Sequence, residues 1–207
     1  MLIVGLTGSI AMGKSVAARL LRRRRGIAVH DSDAAVHALI GPGGASVSAV
    51  GVAFPGSVRD GAVDRQALGR MVFGDRAALG RLEAILHPLA RRSARDFIAR
   101  AARRRCRMVV LDIPLLFETG AEDSVDAILV VSAPGWLQRQ RALRRPGMTA
   151  DKLDAILARQ TPDLVKRRRA DHVLPSGQGL RATGRALGIA LGAMAQRQGR
   201  SWKPGWR

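Results

Sequence analysis

The chain has 207 residues, 47% of them hydrophobic, with 35 Lys and Arg against 16 acids and a net charge of +19. That length suits one α/β domain with a buried core, and no apolar run approaches the roughly 18 residues of a membrane span, so a soluble, cytoplasmic, monomeric protein with no membrane partner is expected. The arginine runs at 22–25, 103–105 and 167–169 carry no interleaved aromatic residues to stack bases, so they read as solvated faces and nucleic acid is not an expected partner, while the single Cys106 excludes an internal disulfide.

In chain order, the first element is an apolar strand over 2–6, followed at once by Gly8, Ser9, Ile10, Ala11, Met12, Gly13, Lys14 and Ser15. This run matches G-x-x-x-x-G-K-[ST] without a gap, in the strand-then-helix context that gives the motif its meaning. The glycines let the backbone turn its N–H groups onto phosphate oxygens at the start of the next helix. Lys14 places an ammonium between the β- and γ-phosphates and the Ser15 hydroxyl ligates Mg²⁺, so residues 8–15 with Val16 form the expected ATP site. Helical periodicity then covers 14–24, and a second strand occupies 27–30. Asp31 and Asp33 follow that strand, at the carboxyl edge where open α/β sheets bind ligands. Asp33 is also a candidate N-cap for a helix over 34–40.

Between 41 and 105 no strong strand signal occurs, and the stretch reads as a helical insertion. It holds two short helices punctuated by Gly74-Asp75, with Asp75 as an N-cap, and a long helix to residue 104 whose first turn contains Pro88. Further strands are expected over 108–111, 127–131 and 172–174, with helices over 138–145 and 181–197 and a poorly ordered tail over 199–207. The alternation predicts an α/β three-layer fold, a parallel central sheet wrapped by crossover helices. Asp112 closes the third strand, where a carboxylate commonly holds Mg²⁺ through water or else caps a helix.

Several blocks together resemble the dephospho-CoA kinase family. They are Gly5-Leu6-Thr7-Gly8 with the loop, Asp31-Ser32-Asp33, His87-Pro88-Leu89 and Asp112-Ile113-Pro114-Leu115-Leu116-Phe117-Glu118. The segment 149–160, ending in Arg159-Gln160, and Ala170-Asp171-His172-Val173-Leu174 extend the resemblance over nearly the whole chain. It implies transfer of the ATP γ-phosphoryl group to the ribose 3′-hydroxyl of dephospho-CoA, with Mg²⁺ as cofactor. Asp33 would be the general base and Asp31 the organiser of metal, water or ribose. A lid over about 135–150 would bring Arg141 and Arg145 to the phosphates, and the insertion would hold the acceptor, with His87, Leu115, Phe117 and Glu118 on the acceptor side. The chain departs from the family pattern at Ser9, Ala11, Met12 and Ser32, and near Pro175-Ser176-Gly177, where the family often carries an asparagine facing the adenine.

Three other readings compete. A different nucleoside or nucleoside-monophosphate kinase would share the loop and lid but not the Pro114-Leu115-Leu116-Phe117-Glu118 block. A nucleic-acid-binding protein would show steeply salt-dependent binding, and lacks its stacking platform here. A GTPase would need an Asn-Lys-x-Asp segment, which the sequence does not contain.

Overall fold

The computed structural model describes residues 1–200; residues 201–207 of the expected tail lie outside the described residues. The chain divides into two compact units, one formed by Met1–Val29 with the chain from Ala101 onward, the other by His30–Arg100.

The first unit is built on the sheet. Its strands are β1 (Leu2–Thr7), β2 (Ile27–Asp31, of which the first three residues belong to this unit), β5 (Met108–Asp112), β6 (Ala127–Ser132) and β7 (His172–Pro175), in the order β2-β5-β1-β6-β7. β1 pairs in parallel with both β5 and β6, and β6 with β7. Every residue of β1 is buried, as befits a central strand covered on both faces, and its continuous apolar run is the sequence record of that position. Alternate residues divide between the faces: Leu2, Val4 and Leu6 join Val110, Leu129 and Val131 in one core. Over that core lie α1 (Lys14–Arg22), which buries Ala17, Ala18 and Leu21, and α9 (Gly179–Ala195), which buries Leu187, Ala190 and Met194. Each fully buried leucine contributes roughly 1.5–3 kcal/mol of transfer free energy. The unit also holds α6 (Gly135–Leu143), α7 (Ala150–Arg159) and α8 (Asp163–Arg169), with α8 packed on β6, and a 3₁₀ turn at Ala121–Ser124. The α/β class with a parallel central sheet is therefore what the sequence implied.

The second unit contains α2 (Ser32–Ile40), α3 (Val47–Ala53), a hairpin of β3 (Val58–Arg59) and β4 (Ala62–Val63), α4 (Arg65–Val72) and most of α5 (Arg76–Arg103). Val50, Phe54, Val63, Leu68, Ala78 and Leu82 form its core. Asp64 and Asp75 cap α4 and α5, each accepting two backbone N–H bonds, and the Asp75 cap agrees with the sequence reading.

Three expectations are corrected here. Asp31, not Asp33, caps α2: its carboxylate accepts the Ala34 N–H at 3.0 Å, and Asp33 lies inside the first turn. The insertion is not purely helical, because Asp60 and Gly61 both take positive φ (50° and 73°) and form the two-residue turn that joins β3 to antiparallel β4. Pro88 is not in the first turn of its helix, since α5 begins at Arg76 and runs through it. Ala78, Leu82, Ile85 and Leu86, spaced at helical intervals, pack into the core ahead of the proline and hold the upstream turns in place.

Candidate active site at the carboxyl edge of the sheet

The loop after β1 is shaped by contacts that leave little room for other residues. A Cβ on Gly8 would stand 2.6 Å from the Val131 carbonyl oxygen, so only glycine lets the chain pass the end of β6. Gly13 takes φ 91° as the residue preceding α1, a conformation that L side chains rarely adopt. Ala11 also lies in the left-handed region, at φ 60°, which costs an alanine about 1–2 kcal/mol. Its burial with Ala142 and Leu153 offsets that strain, so the loop forms without a glycine at this position. Ser9 and Met12 are buried, Ile10 is half-buried, and Met12 accepts the Ala133 N–H on its sulfur at 3.1 Å.

Lys14 opens α1, and its Nζ lies 2.6 Å from Asp112 Oδ1. The register explains the meeting: Asp112 pairs with Leu6 at the carboxyl edge, so the end of β5 reaches the rim from which the loop departs. The Asp112 side chain is nearly buried and that of Lys14 partly so, which makes this a strong charge-assisted contact. Ser15, one position on, is exposed, and Val16 is half-buried. The rim is tied further by the Thr7 hydroxyl donating to the Pro114 carbonyl at 3.0 Å.

Elements from the far end of the chain grip the loop. The Ser176 hydroxyl donates to the Met12 carbonyl at 2.6 Å and accepts from Arg141 Nη1 at 3.0 Å, while Arg141 Nη2 donates to the Ser176 carbonyl at 2.8 Å. Arg141 is thus brought beside Gly13, whereas Arg145, past the end of α6, is exposed. Gln138 Nε2 donates to the Ile10 carbonyl at 2.9 Å, and Gln160 Oε1 accepts the Ile10 N–H at 3.0 Å. Sequence reasoning singled out none of Gln138, Gln160 and Ser176 for a role. Gln160 was visible only as part of a resemblance, and nothing local distinguishes Gln138 from Gln140.

The block after β5 divides by exposure. Leu115 is 44% exposed, and Phe117 is buried beneath the Arg169 guanidinium, whose centre is 4.7 Å from the ring centroid. Glu118 Oε1 lies 2.8 Å from the ammonium of Lys166, a fully buried lysine, and accepts the Thr161 N–H at 2.8 Å. Burial pushes the Glu118 carboxyl up, but the Lys166 ammonium and the backbone N–H bonds outweigh it and hold the group below the ordinary glutamate range.

The second unit carries the remaining candidates. Asp31 is engaged as the α2 cap, whereas Asp33 is exposed one residue into the helix and its carboxylate has no hydrogen-bond or ion-pair partner among the described residues. His87 is exposed on α5 beside Pro88. His30, by contrast, is buried, and its neutral form is favoured by desolvation, with Asp31 opposing and Arg100 reinforcing that preference.

The profile of the dephospho-CoA kinase family matches residues 2–181. A dephospho-CoA kinase from Paramagnetospirillum magneticum is 65% identical over 167 residues, covering 81% of this chain and 78% of its own length. One from Rhodospirillum rubrum is 55% identical over 208 residues, covering 100% of this chain and 97% of its own. Among solved structures, TT1252 from Thermus thermophilus is 36% identical with a TM-score of 0.80, over 93% of this chain and 97% of that one. A dephospho-CoA kinase from Campylobacter jejuni, 19% identical over 93% of this chain and 96% of that one, shares the fold at a TM-score of 0.62.

Proposed function

The chain belongs to the dephospho-CoA kinase family, and from that membership we propose how its own residues carry the transfer. The reaction moves the γ-phosphoryl group of ATP to the ribose 3′-hydroxyl of dephospho-CoA, giving coenzyme A and ADP, the last step of coenzyme A synthesis. The observation that carries the residue-level reading is the loop over 8–15, with Lys14 drawn to the Asp112 carboxylate at the sheet edge.

The loop N–H groups and Lys14 bind the β- and γ-phosphates and counter the charge that develops on the leaving oxygen. Arg141, already oriented by its two bonds to Ser176, supplies a guanidinium toward the same phosphates, and Arg145 a second from the solvent side. Asp33, with a carboxylate not engaged in capping, takes the proton of the 3′-hydroxyl as the new O–P bond forms, while the bond to ADP breaks and its electron pair leaves on the β-phosphate oxygen. Asp31 orients the ribose from the cap of α2, and His87, Leu115, Phe117 and Glu118 serve the acceptor side, Glu118 held by Lys166 and Phe117 beneath Arg169. The oxygen donors at the rim fit Mg²⁺: the exposed Ser15 hydroxyl would hold it directly and the Asp112 carboxylate through water. When bound, the ion neutralises phosphate charge. The protein acts in the cytoplasm as a monomer.

The test is a coupled ADP-release assay with ATP, Mg²⁺ and dephospho-CoA, AMP, CMP or adenosine as acceptor. Turnover is expected with dephospho-CoA, and turnover with a nucleoside or nucleotide instead would move the chain to another kinase class. In the same assay Lys14→Ala should abolish turnover, and Asp33→Asn should lower kcat by about 100-fold or more, with ATP binding little changed. An unchanged kcat for Asp33→Asn would assign the base elsewhere.

A further inference from the structure

Ile10 lies in the middle of the phosphate loop, and both polar groups of its backbone are taken by side chains from outside the loop. Gln160, just past the end of α7, accepts its N–H, and Gln138, buried in the first two turns of α6, donates to its carbonyl. Two positions on, the Met12 carbonyl is held by Ser176, which Arg141 of α6 grips in turn. A loop of this kind works only if successive N–H groups point at one small volume, and the direction of each is set by the backbone around it. Resting on the kinase activity given above, we propose that Gln138 and Gln160 are positioning residues for phosphoryl transfer: they fix the Ile10 backbone at donor and acceptor, aim the loop N–H groups, and tie the loop to the segment that bears Arg141.

The chemistry of the two side chains fits this role. A carboxylate so near the loop would repel the triphosphate, and a cation would compete with Lys14 for it. A neutral amide offers one donor and one acceptor without either charge. Gln160 is itself anchored, because the next residue, Thr161, gives its N–H to Glu118, which the buried Lys166 holds at 2.8 Å. The brace therefore runs from a buried ion pair to the centre of the loop through consecutive contacts.

Two isosteric variants separate positioning from space-filling. Gln160→Glu keeps an acceptor for the Ile10 N–H, whereas Gln138→Glu turns a donor into an anion facing a carbonyl oxygen; the two bring the same charge and volume to opposite ends of one residue. Steady-state kinetics should show kcat/KM for ATP at least about tenfold lower in Gln138→Glu than in Gln160→Glu, with KM for dephospho-CoA unchanged in both. Equal values in the two variants, or a matching rise in KM for dephospho-CoA, would overturn the proposal. Should Gln138→Glu not fold, Gln138→Met and Gln160→Met, confirmed as folded by circular dichroism, are titrated with ATP by calorimetry. Each should bind about tenfold more weakly, and the double variant should lose less than the product of the two, because they act on one backbone unit. Unchanged ATP affinity in the folded Met variants would overturn it as well. ATP binding is read without an acceptor, so a wild-type protein inert toward dephospho-CoA would count against the activity and not against the brace.

Discussion

His30 is 6% exposed, and neither ring nitrogen has a hydrogen-bond partner among the described residues; its ring stands edge-on to Phe97 with centroids 5.2 Å apart. Burial lowers its pKa below 6.5, so the unfolded chain takes up a proton at a higher pH than the native one. The stability of the folded state is therefore complete above pH 6.5 and declines as the pH falls below it toward the depressed native value. Thermal melts between about pH 7.5 and about pH 5.5 should show the midpoint falling, and His30→Leu should flatten that dependence. The same substitution removes two unsatisfied buried nitrogens and should add about 1–3 kcal/mol at neutral pH. A His30→Leu protein with the wild-type pH slope would disprove the assignment. Among the candidate residues, Lys14 and Asp112 were both singled out from the sequence, and the structure brings their side chains to 2.6 Å, a meeting that neither position announced by itself. Gln138 and Ser176 could not be found, because each acts through a backbone atom more than 100 positions away in the chain.

Helix α5 runs through a residue that opposes it. Pro88 has no N–H to give the Ala84 carbonyl, and a proline in a helix interior costs about 3 kcal/mol relative to alanine. The site is exposed, so Pro88→Ala removes no packed surface and should raise stability by about 1–3 kcal/mol, a few degrees in Tm for a chain of this size. Differential scanning calorimetry checks this, and a lower midpoint would show that the ring makes a compensating contact. Assayed alongside, an undiminished Tm with a reduced kcat would mean that the proline shapes the helix for the acceptor. The strands were legible to within a residue or two because a central parallel strand is a short apolar run and little else. Pro88 misled because proline marks helix starts locally, whereas α5 begins at Arg76, about three turns earlier, and is anchored all the way from there to the proline by Ala78, Leu82, Ile85 and Leu86. The Asp60-Gly61 turn carried its own signal, a two-residue hairpin sequence, but strands of two residues leave no alternation beside it to read.

Across the molecule the excess of +19 charges is spread unevenly. The turn after α1, with exposed arginines at 22–25, is joined to the stretch before β5, with exposed arginines at 103–105 and 107, by Arg107 and Met108 N–H bonds to the Gly26 carbonyl at 2.9 and 3.2 Å. Sequence showed two separate runs; the sheet makes them neighbours at the edge opposite the phosphate loop. Like charges so gathered oppose the compact state, and salt relieves them: going from about 0.1 M to about 1 M shortens the screening length from about 10 Å to about 3 Å. The Tm should rise over that range of NaCl, and a flat or falling midpoint would show that the runs are neutralised within the fold. The bracing of the loop has a different consequence, in the order of synthesis. The phosphate loop at 8–15 is made well before the side chains that hold it, which lie at 138, 141, 160 and 176. The strands flanking β1 come 100 residues and more after it. A nascent chain that has not yet reached residue 176 thus carries the complete nucleotide signature without every side chain that sets it, so ATP binding should follow the synthesis of residue 176 and not that of the loop.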